Sequence, residues 1–174
     1  MATIVIPFRG VDAKQRLPEA VRGRLAQAML ADVSAAAGEV GTTVVATQSG
    51  QGVAVEAALQ HVTDVPVLIV NADLPAATPR DLLTLLGSIP ADGLAVVAAP
   101  DGTTNALGLA KPSLFRPVYG PGSAERFLAL GPSRLVEIPN LTADVDSTAD
   151  LMQLESRLGR ETARALEELA APAR

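Results

Sequence analysis

Three aspartates of this sequence lie where they could bind a hard cation. Asp73 follows the apolar segment VPVLIVN at 65–71, and Asp144 and Asp146 are two residues apart in the segment ADVDSTAD. Alternate residues of extended backbone project to the same side, so Asp144 and Asp146 are expected to face one way. Carboxylate oxygens are ligands that Mg²⁺ prefers in proteins. The pattern therefore predicts a Mg²⁺ site formed by Asp73, Asp144 and Asp146.

Each of these aspartates also has an ordinary structural interpretation. Asp73 stands in the short segment NADLP, where a turn aspartate can cap the next helix. Ser147 or Asp146 can cap a helix that begins at Thr148, and Asp150 would be favourable in the first turn because of the helix dipole. We therefore expect a cap at one of these two positions, and both interpretations of the aspartates stay open at this stage.

Positive side chains cluster in the loop after the first predicted strand. The segment PFRGVDAKQRL at 7–17 contains Arg9, Lys14 and Arg16. Phosphates bind at such carboxyl ends of strands, so the loop is predicted to hold a triphosphate. The GxxxxGK[ST] pattern of a P-loop is absent, and an ordinary solvated loop also contains lysine and arginine.

Two further loops are rich in glycine, hydroxyl and amide groups: DGTTNAL at 101–107 and YGPGS at 119–123. The second has the composition of a nest of backbone amides that binds an anion. Turns use the same residue types for purely conformational reasons. Because these loops occur together with the carboxylates and the cations, we interpret them as parts of one site for phosphorylated ligands.

Short β-branched segments alternate with longer helical patterns, which is typical of βαβ units and predicts an α/β fold with a mainly parallel sheet. The 65–71 segment is apolar on both faces, which indicates a central strand covered by helices on both sides. The predicted strands are Thr3–Pro7, Thr42–Thr47, Val65–Asn71, Leu94–Ala99, a short strand within Asp101–Ala110, Arg134–Ile138 and Leu141–Asp144. The predicted helices are Pro18–Ala37, Val53–His61, Thr78–Leu86, Ser123–Leu130, Ser147–Leu158 and Glu161–Ala170.

Composition limits the classes of function. The 174 residues suit a single domain over 1–174, and 48% hydrophobic with 19% charged residues supply a core that disordered chains lack. Only 2% of residues are aromatic and the formal net charge is −5, which disfavours nucleic-acid binding. Without cysteine and with one histidine, the chain offers no disulfide, thiolate zinc site or Cys nucleophile.

The N-terminal segment MATIVIPFRG has no basic lead before its short apolar run, and apolar runs elsewhere stay far below the roughly 18 residues of a membrane span. We therefore expect a cytoplasmic protein that binds no membrane. A homodimer is compatible with the sequence, which does not determine the oligomeric state.

Taken in order, the segments IPFRGVDAKQRL, VLIVNADLP, DGTTNALGLAKP, YGPGS and ADVDSTADL resemble the guanylyltransferases of coenzyme F420 biosynthesis. The similarity extends from Ile4 to Leu151. That family makes lactyl-2-diphospho-5′-guanosine or its enolpyruvyl analogue. The resemblance implies a Rossmann-like three-layer sandwich of the nucleotidyltransferase, glycosyltransferase-A-like kind, which binds a nucleoside triphosphate at the carboxyl edge of its sheet.

The resemblance also implies a reaction. The phosphate of phosphoenolpyruvate or 2-phospho-L-lactate would attack the α-phosphorus of GTP and expel pyrophosphate, with Mg²⁺ as the cofactor. A phosphate monoester with a second pKa of about 6 is already largely ionised at neutral pH, so neither a protein nucleophile nor a His or Cys base is required. Positioning and charge neutralisation are then expected to carry catalysis.

Carried over to this sequence, the family's functional positions fall into four groups. Lys14 and Asp73 are expected to be catalytic, and Asp73, Asp144 and Asp146 are expected to bind Mg²⁺. The remaining groups are the nucleotide-binding residues Arg9, Lys14, Arg16 and Gly52, the last in a 48–52 segment expected to face guanine, and the acceptor-binding residues Thr104, Asn105, Gly120 and Ser123.

Three positions depart from the family pattern. Arg9 stands where lysine is frequent, Thr103 interrupts the usual Gly-Gly-Thr-Asn, and Phe127 replaces a frequent histidine. Two alternative functions remain at this stage: a nucleotidyltransferase of the same fold that acts on a molybdopterin or sugar phosphate, and a nucleotide-binding module without catalysis. The molybdopterin enzymes' LxxGxSxRMG-type opening is missing, and the three aspartates argue for catalysis.

Overall fold

A six-stranded sheet forms the centre of the computed structural model, which describes residues 1–10, 16–63 and 66–170. The strand order across the sheet is β2-β1-β3-β5-β4-β6. The strands are β1 (Ala2–Pro7), β2 (Gly41–Ala46), β3 (Val67–Val70), β4 (Leu94–Ala98), β5 (Thr104–Leu109) and β6 (Ser133–Leu135). The predicted central strand is confirmed, since β3 lies inside the sheet and all four of its residues are buried.

One strand runs against the others. β1 is parallel to β2 and β3, and β4 is parallel to β6, whereas β5 is antiparallel to both β3 and β4. The predicted α/β fold with a mainly parallel sheet is therefore confirmed, with β5 as the reversed strand. Because of this reversal, the amino end of β5 reaches the edge of the sheet at which β1, β3 and β4 have their carboxyl ends.

The helices are α1 (Glu19–Gly38), α2 (Gln51–Leu59), α3 (Pro79–Gly87), α4 (Ser123–Leu128), α5 (Pro139–Thr142), α6 (Thr148–Leu154) and α7 (Arg160–Ala170), with 3₁₀ turns at Pro112–Leu114 and Glu155–Arg157. Two predicted caps are confirmed. Thr78 caps α3 in a capping box with Asp81, and Ser147 caps α6 in a capping box with Asp150. In both boxes the N-cap hydroxyl accepts from the third helical amide while the carboxylate accepts from the N-cap amide.

Apolar layers cover both faces of the sheet. Ile4 and Ile6 of β1 pack on the face that α1 and α3 cover, while Val5 packs on the face that α2 and α4 cover. This alternation follows from the two-residue period of a strand. A third apolar cluster joins α1, α6 and α7 and contains Met29, Leu151 and the fully buried Val145. No helix of the described ranges is long and apolar enough to cross a bilayer.

The strand predicted at Leu141–Asp144 is wrong. Residues 139–142 form the short helix α5, and 143–146 is irregular backbone. Pro139 occupies the first helical position, where its fixed φ favours a helical turn, and a run of four residues is too short for periodicity to distinguish the two structures. Several other boundaries differ as well. The largest differences are at the ends of β6, which stops at Leu135 rather than at Ile138, and of α6, which stops at Leu154 rather than at Leu158 and is followed by a 3₁₀ turn.

A buried carboxylate joins the first long helix to the last one. Asp32 of α1 is 8% exposed and accepts hydrogen bonds from the backbone amides of Glu161, at 2.9 Å, and Thr162, at 2.8 Å. These amides belong to the first turn of α7, which has no intrahelical acceptors for them. Asp32 therefore caps α7 from a position 129 residues away in sequence, and α7 in turn covers the cluster that contains Val145.

Replacement of Asp32 by Ala is expected to lower the free energy of unfolding by about 3 kcal/mol, because two amides of α7 lose a charged acceptor. Asp32→Asn keeps one acceptor oxygen and should lose about half as much. Urea unfolding at constant pH measures both changes. The control is Asp92→Ala, since the Asp92 side chain is 81% exposed and its loss should cost less than about 0.5 kcal/mol. Equal stabilities for the Asp32→Ala and Asp92→Ala variants would contradict the capping role.

Candidate active site

A cavity of about 290 Å³ opens at the sheet edge where the carboxyl ends of β1, β3 and β4 meet the amino end of β5. In α/β sheets, ligands bind in such crevices at the carboxyl ends of strands. The cavity is lined by Pro7, Phe8, Arg9, Gly10, Ala26, Met29, Gln51, Asn71, Ala72, Asp73, Asp101, Thr103, Thr104, Asn105, Tyr119, Gly120, Ser123, Asp144 and Asp146.

The three aspartates predicted to bind metal meet in this cavity. Asp73, Asp144 and Asp146 each offer one carboxylate oxygen, and these oxygens lie within 4.8 Å of one another. All three residues are half-buried. A set of three hard, anionic oxygen donors at this spacing fits Mg²⁺, which binds proteins through a few carboxylates and completes its shell with water and substrate phosphates.

Two backbone features bring these aspartates together although the predicted strand at 141–144 is absent. The amide of Val145 donates to the carbonyl oxygen of Asp73 at 3.0 Å, which joins the 143–146 segment to the residues after β3. The Val145 side chain is fully buried in the cluster formed with α1, α6 and α7. With Val145 anchored on the core side, Asp144 and Asp146 on either side of it reach the same cavity.

Asn105 of β5 holds Asp144 in place. Its side-chain amide donates to the carbonyl oxygen of Thr142 at 2.9 Å and to Asp144 Oδ1 at 3.3 Å. Burial raises the pKa of Asp144 above its usual range, the nearby carboxylate of Asp73 raises it further, and the hydrogen bond from Asn105 opposes the shift. The raised pKa means that ionised Asp144 is costly to bury here beside another carboxylate, as expected where a cation would bind.

The opposite wall of the cavity carries hydroxyl groups. The hydroxyls of Thr104 and Ser123 lie 2.9 Å apart and both residues are buried. Thr104 and Asn105 are neighbours in β5, so their side chains point to opposite faces of the sheet. Thr104 therefore reaches Ser123 and the loop before α4, while Asn105 reaches the aspartates. Of the predicted acceptor residues, Thr104, Gly120 and Ser123 line this wall, and Asn105 lines the side that carries the three aspartates.

A chain of hydrogen bonds connects Arg9 to this wall. Arg9 Nη2 donates to Gln51 Oε1 at 3.1 Å, Gln51 Nε2 donates to Asn71 Oδ1 at 2.7 Å, and Asn71 Nδ2 donates to the carbonyl oxygen of Thr104 at 3.1 Å. Gln51 is the first residue of α2 and Asn71 follows β3. The chain fixes the orientation of both amide side chains and holds a guanidinium at the mouth of the cavity.

The other predicted nucleotide-binding residues are distributed differently. Arg16 is exposed and lines a neighbouring cavity with Arg157 and Asp150, and its Nη1 lies 3.9 Å from Asp146 Oδ2. Gly52 does not line the main cavity, because its Cα faces Pro117: a Cβ there would stand 2.7 Å from Pro117 Cβ. Lys14 lies outside the described residues.

Five residues with polar side chains line the cavity although they were not among the predicted site residues: Gln51, Asn71, Asp101, Thr103 and Tyr119. The Asp101 carboxylate accepts from the hydroxyl and the amide of Thr103, which lowers the pKa of that carboxyl. Burial raises the pKa of Tyr119 well above its usual range. Position could have indicated both Gln51 and Asn71, since Gln51 lies in the 48–52 segment expected to face guanine and Asn71 ends the third predicted strand. No sequence pattern predicts the hydrogen bond between them.

Comparisons with known proteins give a consistent family. The chain is 34% identical over 204 residues to the 2-phospho-L-lactate guanylyltransferase of Natrialba magadii, covering 92% of this chain and 85% of that protein. It is 42% identical over 89 residues to the phosphoenolpyruvate guanylyltransferase of Nocardia farcinica, covering 50% of this chain and 39% of that protein. The chain thus aligns with less than half of the length of the Nocardia protein. No family model matches the chain.

Solved structures agree on the fold. A nucleotidyl transferase from Methanothermobacter thermautotroptrophicus superimposes with a TM-score of 0.56 at 14% sequence identity, covering 97% of this chain and 99% of that one. At this identity the likeness concerns the fold alone, and it confirms the predicted nucleotidyltransferase-type α/β architecture. The identity to the Natrialba protein over nearly the whole chain defines the relationship more narrowly. This chain belongs to the family of 2-phospho-L-lactate and phosphoenolpyruvate guanylyltransferases.

Proposed function

We propose that this protein transfers GMP from GTP to the phosphate of phosphoenolpyruvate, or of 2-phospho-L-lactate, and releases pyrophosphate as a step of coenzyme F420 biosynthesis. The observation that carries the proposal is the cavity in which three carboxylates face a hydroxyl-lined wall, with an arginine at its mouth. The names of the Natrialba and Nocardia relatives supply the nucleotide and the two candidate acceptors.

Each of the two substrates would bind to a different wall of the cavity. Arg9, and Lys14 from the segment outside the described residues, would bind the triphosphate of GTP. Thr104, Gly120 and Ser123 would bind the phosphorylated acid through hydroxyl and backbone groups. Arg16 would contact the distal phosphates from the neighbouring cavity, which shares Asp101, Asp144 and Asp146 with the main one.

The chemical step needs alignment more than acid–base catalysis. An oxygen of the acceptor phosphate forms a bond to the α-phosphorus of GTP while the bond from that phosphorus to the bridging oxygen of the β-phosphate breaks, and pyrophosphate leaves with the electron pair. The acceptor is already ionised, so no side chain must remove a proton. Asp73, Asp144 and Asp146 would hold Mg²⁺, which when bound offsets charge on the triphosphate. Arg9 would add a second positive group at the leaving side.

The test is a pyrophosphate-release assay with GTP, Mg²⁺ and one acceptor at a time. Phosphoenolpyruvate and 2-phospho-L-lactate are compared with a sugar 1-phosphate, and GTP is compared with CTP and ATP. Release that requires GTP and one of the two acids supports the proposal. Release with a sugar phosphate supports the alternative nucleotidyltransferase, and GTP binding without release under any condition supports a non-catalytic module.

Asp73→Asn keeps the shape of the side chain and removes its charge, so turnover is expected to fall by about a thousandfold or more, with little rescue by excess Mg²⁺. Steady-state pyrophosphate release measures the change. The matched control is Asp92→Asn at an exposed position away from the cavity. Turnover within threefold of the unmodified protein would leave Asp73 as a residue of the turn before α3.

Asp144→Asn is expected to stabilise the metal-free protein at neutral pH. The raised pKa of Asp144 means that its ionised form opposes folding. This destabilising contribution is fully present above the folded-state pKa and disappears as the pH falls through that value. An asparagine still offers an acceptor to the Asn105 amide. The gain in unfolding free energy, measured by urea denaturation in EDTA, should therefore shrink at acidic pH.

The same variant should lose the stabilisation that Mg²⁺ gives the unmodified protein, because a ligand that binds only the folded state raises its stability according to its affinity. Denaturation with and without Mg²⁺ measures this second effect, and Asp92→Asn again serves as the control. A variant that is less stable in EDTA at neutral pH would contradict the prediction that ionised Asp144 opposes folding.

Ser123→Ala tests the acceptor wall. A buried hydroxyl that bonds to a charged ligand contributes roughly 1.5–3 kcal/mol, so the KM for the acceptor should rise about ten- to a hundredfold while the KM for GTP barely changes. Ser133→Ala is the matched control, because the Ser133 hydroxyl donates to the carbonyl oxygen of Leu128, outside the cavity lining. A change confined to the KM for GTP would contradict this placement of the acceptor.

A further inference from the structure

The guanidinium of Arg126 is bonded to the backbone of the loop that enters the active-site cavity. Arg126 Nε and Nη2 donate to the carbonyl oxygen of Val118 at 3.1 and 2.9 Å, Nη2 also donates to that of Tyr119 at 3.2 Å, and Nη1 donates to that of Pro121 at 2.6 Å. Three carbonyl groups within four consecutive residues thus turn toward one side chain. No motif in the sequence indicated these contacts of Arg126.

These bonds determine which way the peptide groups of the loop face. In a trans peptide the carbonyl and the following amide point in opposite directions. Because the carbonyls of Val118, Tyr119 and Pro121 face Arg126, the amides of Tyr119, Gly120 and Gly122 face away from it. Arg126 is absent from the described cavity lining, whereas Tyr119 and Gly120 belong to it. These two residues thus contribute amides that face away from Arg126 to a loop that lines the cavity.

The side chains of Val118 and Tyr119 pack on the apolar cluster that contains Phe115 and Phe127, but the backbone of the loop has few other hydrogen bonds. Among the described residues its backbone bonds are Val118 N to Arg116 O at 2.8 Å, Ser123 N to Gly120 O at 3.0 Å and Arg126 N to Gly122 O at 3.4 Å. Gly120 and Gly122 have φ values of +110° and +69°, a region that glycine enters at little cost. A segment with two such glycines can adopt several conformations, so the three carbonyl contacts to Arg126 select one of them.

We propose that Arg126 is a positioning residue for the acceptor: it holds the 118–122 loop so that backbone amides of Tyr119 and Gly120, with the Ser123 hydroxyl, bind the anionic acid. This inference rests on the proposed function for the identity of that acid. Arg126 acts through geometry, because four hydrogen bonds already engage its guanidinium and it is solvent-exposed, where water and salt screen its charge.

Replacing Arg126 by lysine distinguishes an effect of hydrogen-bond geometry from an effect of positive charge. Arg126→Lys keeps the positive charge but offers a single ammonium group, which cannot reach three carbonyls in the fixed fork geometry of a guanidinium. Arg126→Gln removes the charge as well. The matched control is Arg116→Lys: Arg116 also donates to backbone carbonyls, those of Ser113 and Phe115, in a neighbouring segment that does not line the cavity.

The experiment measures pyrophosphate release with GTP, Mg²⁺ and the acid that the unmodified protein uses. Both Arg126 variants are expected to raise the KM for the acid by about tenfold or more, to leave the KM for GTP within about twofold, and to keep the melting temperature within about 3 °C. Arg116→Lys should leave both KM values unchanged. A normal KM for the acid in Arg126→Lys, or equal increases for the acid and GTP, would overturn the proposal.

A measurement without turnover separates this proposal from the proposed function. In ¹H–¹⁵N spectra of the substrate-free protein, Arg126→Lys should shift or broaden the amide resonances of residues 118–123 and spare those of the strands. Unchanged loop resonances would refute the positioning role, whatever the activity. If the unmodified protein releases no pyrophosphate with either acid, the proposed function fails on its own assay, and the spectra still decide whether Arg126 orders the loop.

Discussion

The mutual repulsion of three carboxylates is the constraint on which this structure depends. Asp73, Asp144 and Asp146 bring oxygens to within 4.8 Å of one another in a half-buried place. Like charges at this distance separate unless the backbone that carries them cannot move. Here the Val145 amide is bonded to Asp73, the Val145 side chain is anchored in the apolar cluster, and α7, capped by Asp32, covers that cluster. The helical layer around α7 thus serves to keep the aspartates together.

The reversed strand β5 gives this site its two walls. A parallel strand in the same position would bring its carboxyl end to the cavity, whereas β5 contributes its first residues, Thr104 and Asn105. Since neighbouring residues of a strand point to opposite faces, these two side chains reach different parts of the cavity: Thr104 belongs to the hydroxyl wall and Asn105 restrains Asp144. Two adjacent residues on one buried strand therefore fix the distance between the wall that would bind the acceptor and the carboxylates.

Sequence patterns were informative wherever the determinant was local. Thr78 and Ser147 could be identified as caps because the capping box is a four-residue pattern, and the buried strand β3 could be identified because it is apolar on both faces. The direction of β5 depends on its neighbours in the sheet, which no local pattern encodes. The run at 141–144 was too short for its period to separate strand from helix. The partners of Arg126 are backbone carbonyls, and these are the same for every residue type.

The amide side chains of Gln51 and Asn71 hold Arg9 at the mouth of the cavity. Within the described residues, no carboxylate is paired with Arg9. The carbonyl oxygen of Thr104 can only accept, so Asn71 must turn its amino group toward it and its oxygen toward Gln51. Gln51 must then donate to Asn71, which leaves its own oxygen facing outward, where only a donor fits. Arg9 satisfies that requirement and keeps its full positive charge for an anion, because both intervening groups are neutral. Neither amide titrates, so the polarity of this hydrogen-bonded chain does not depend on pH.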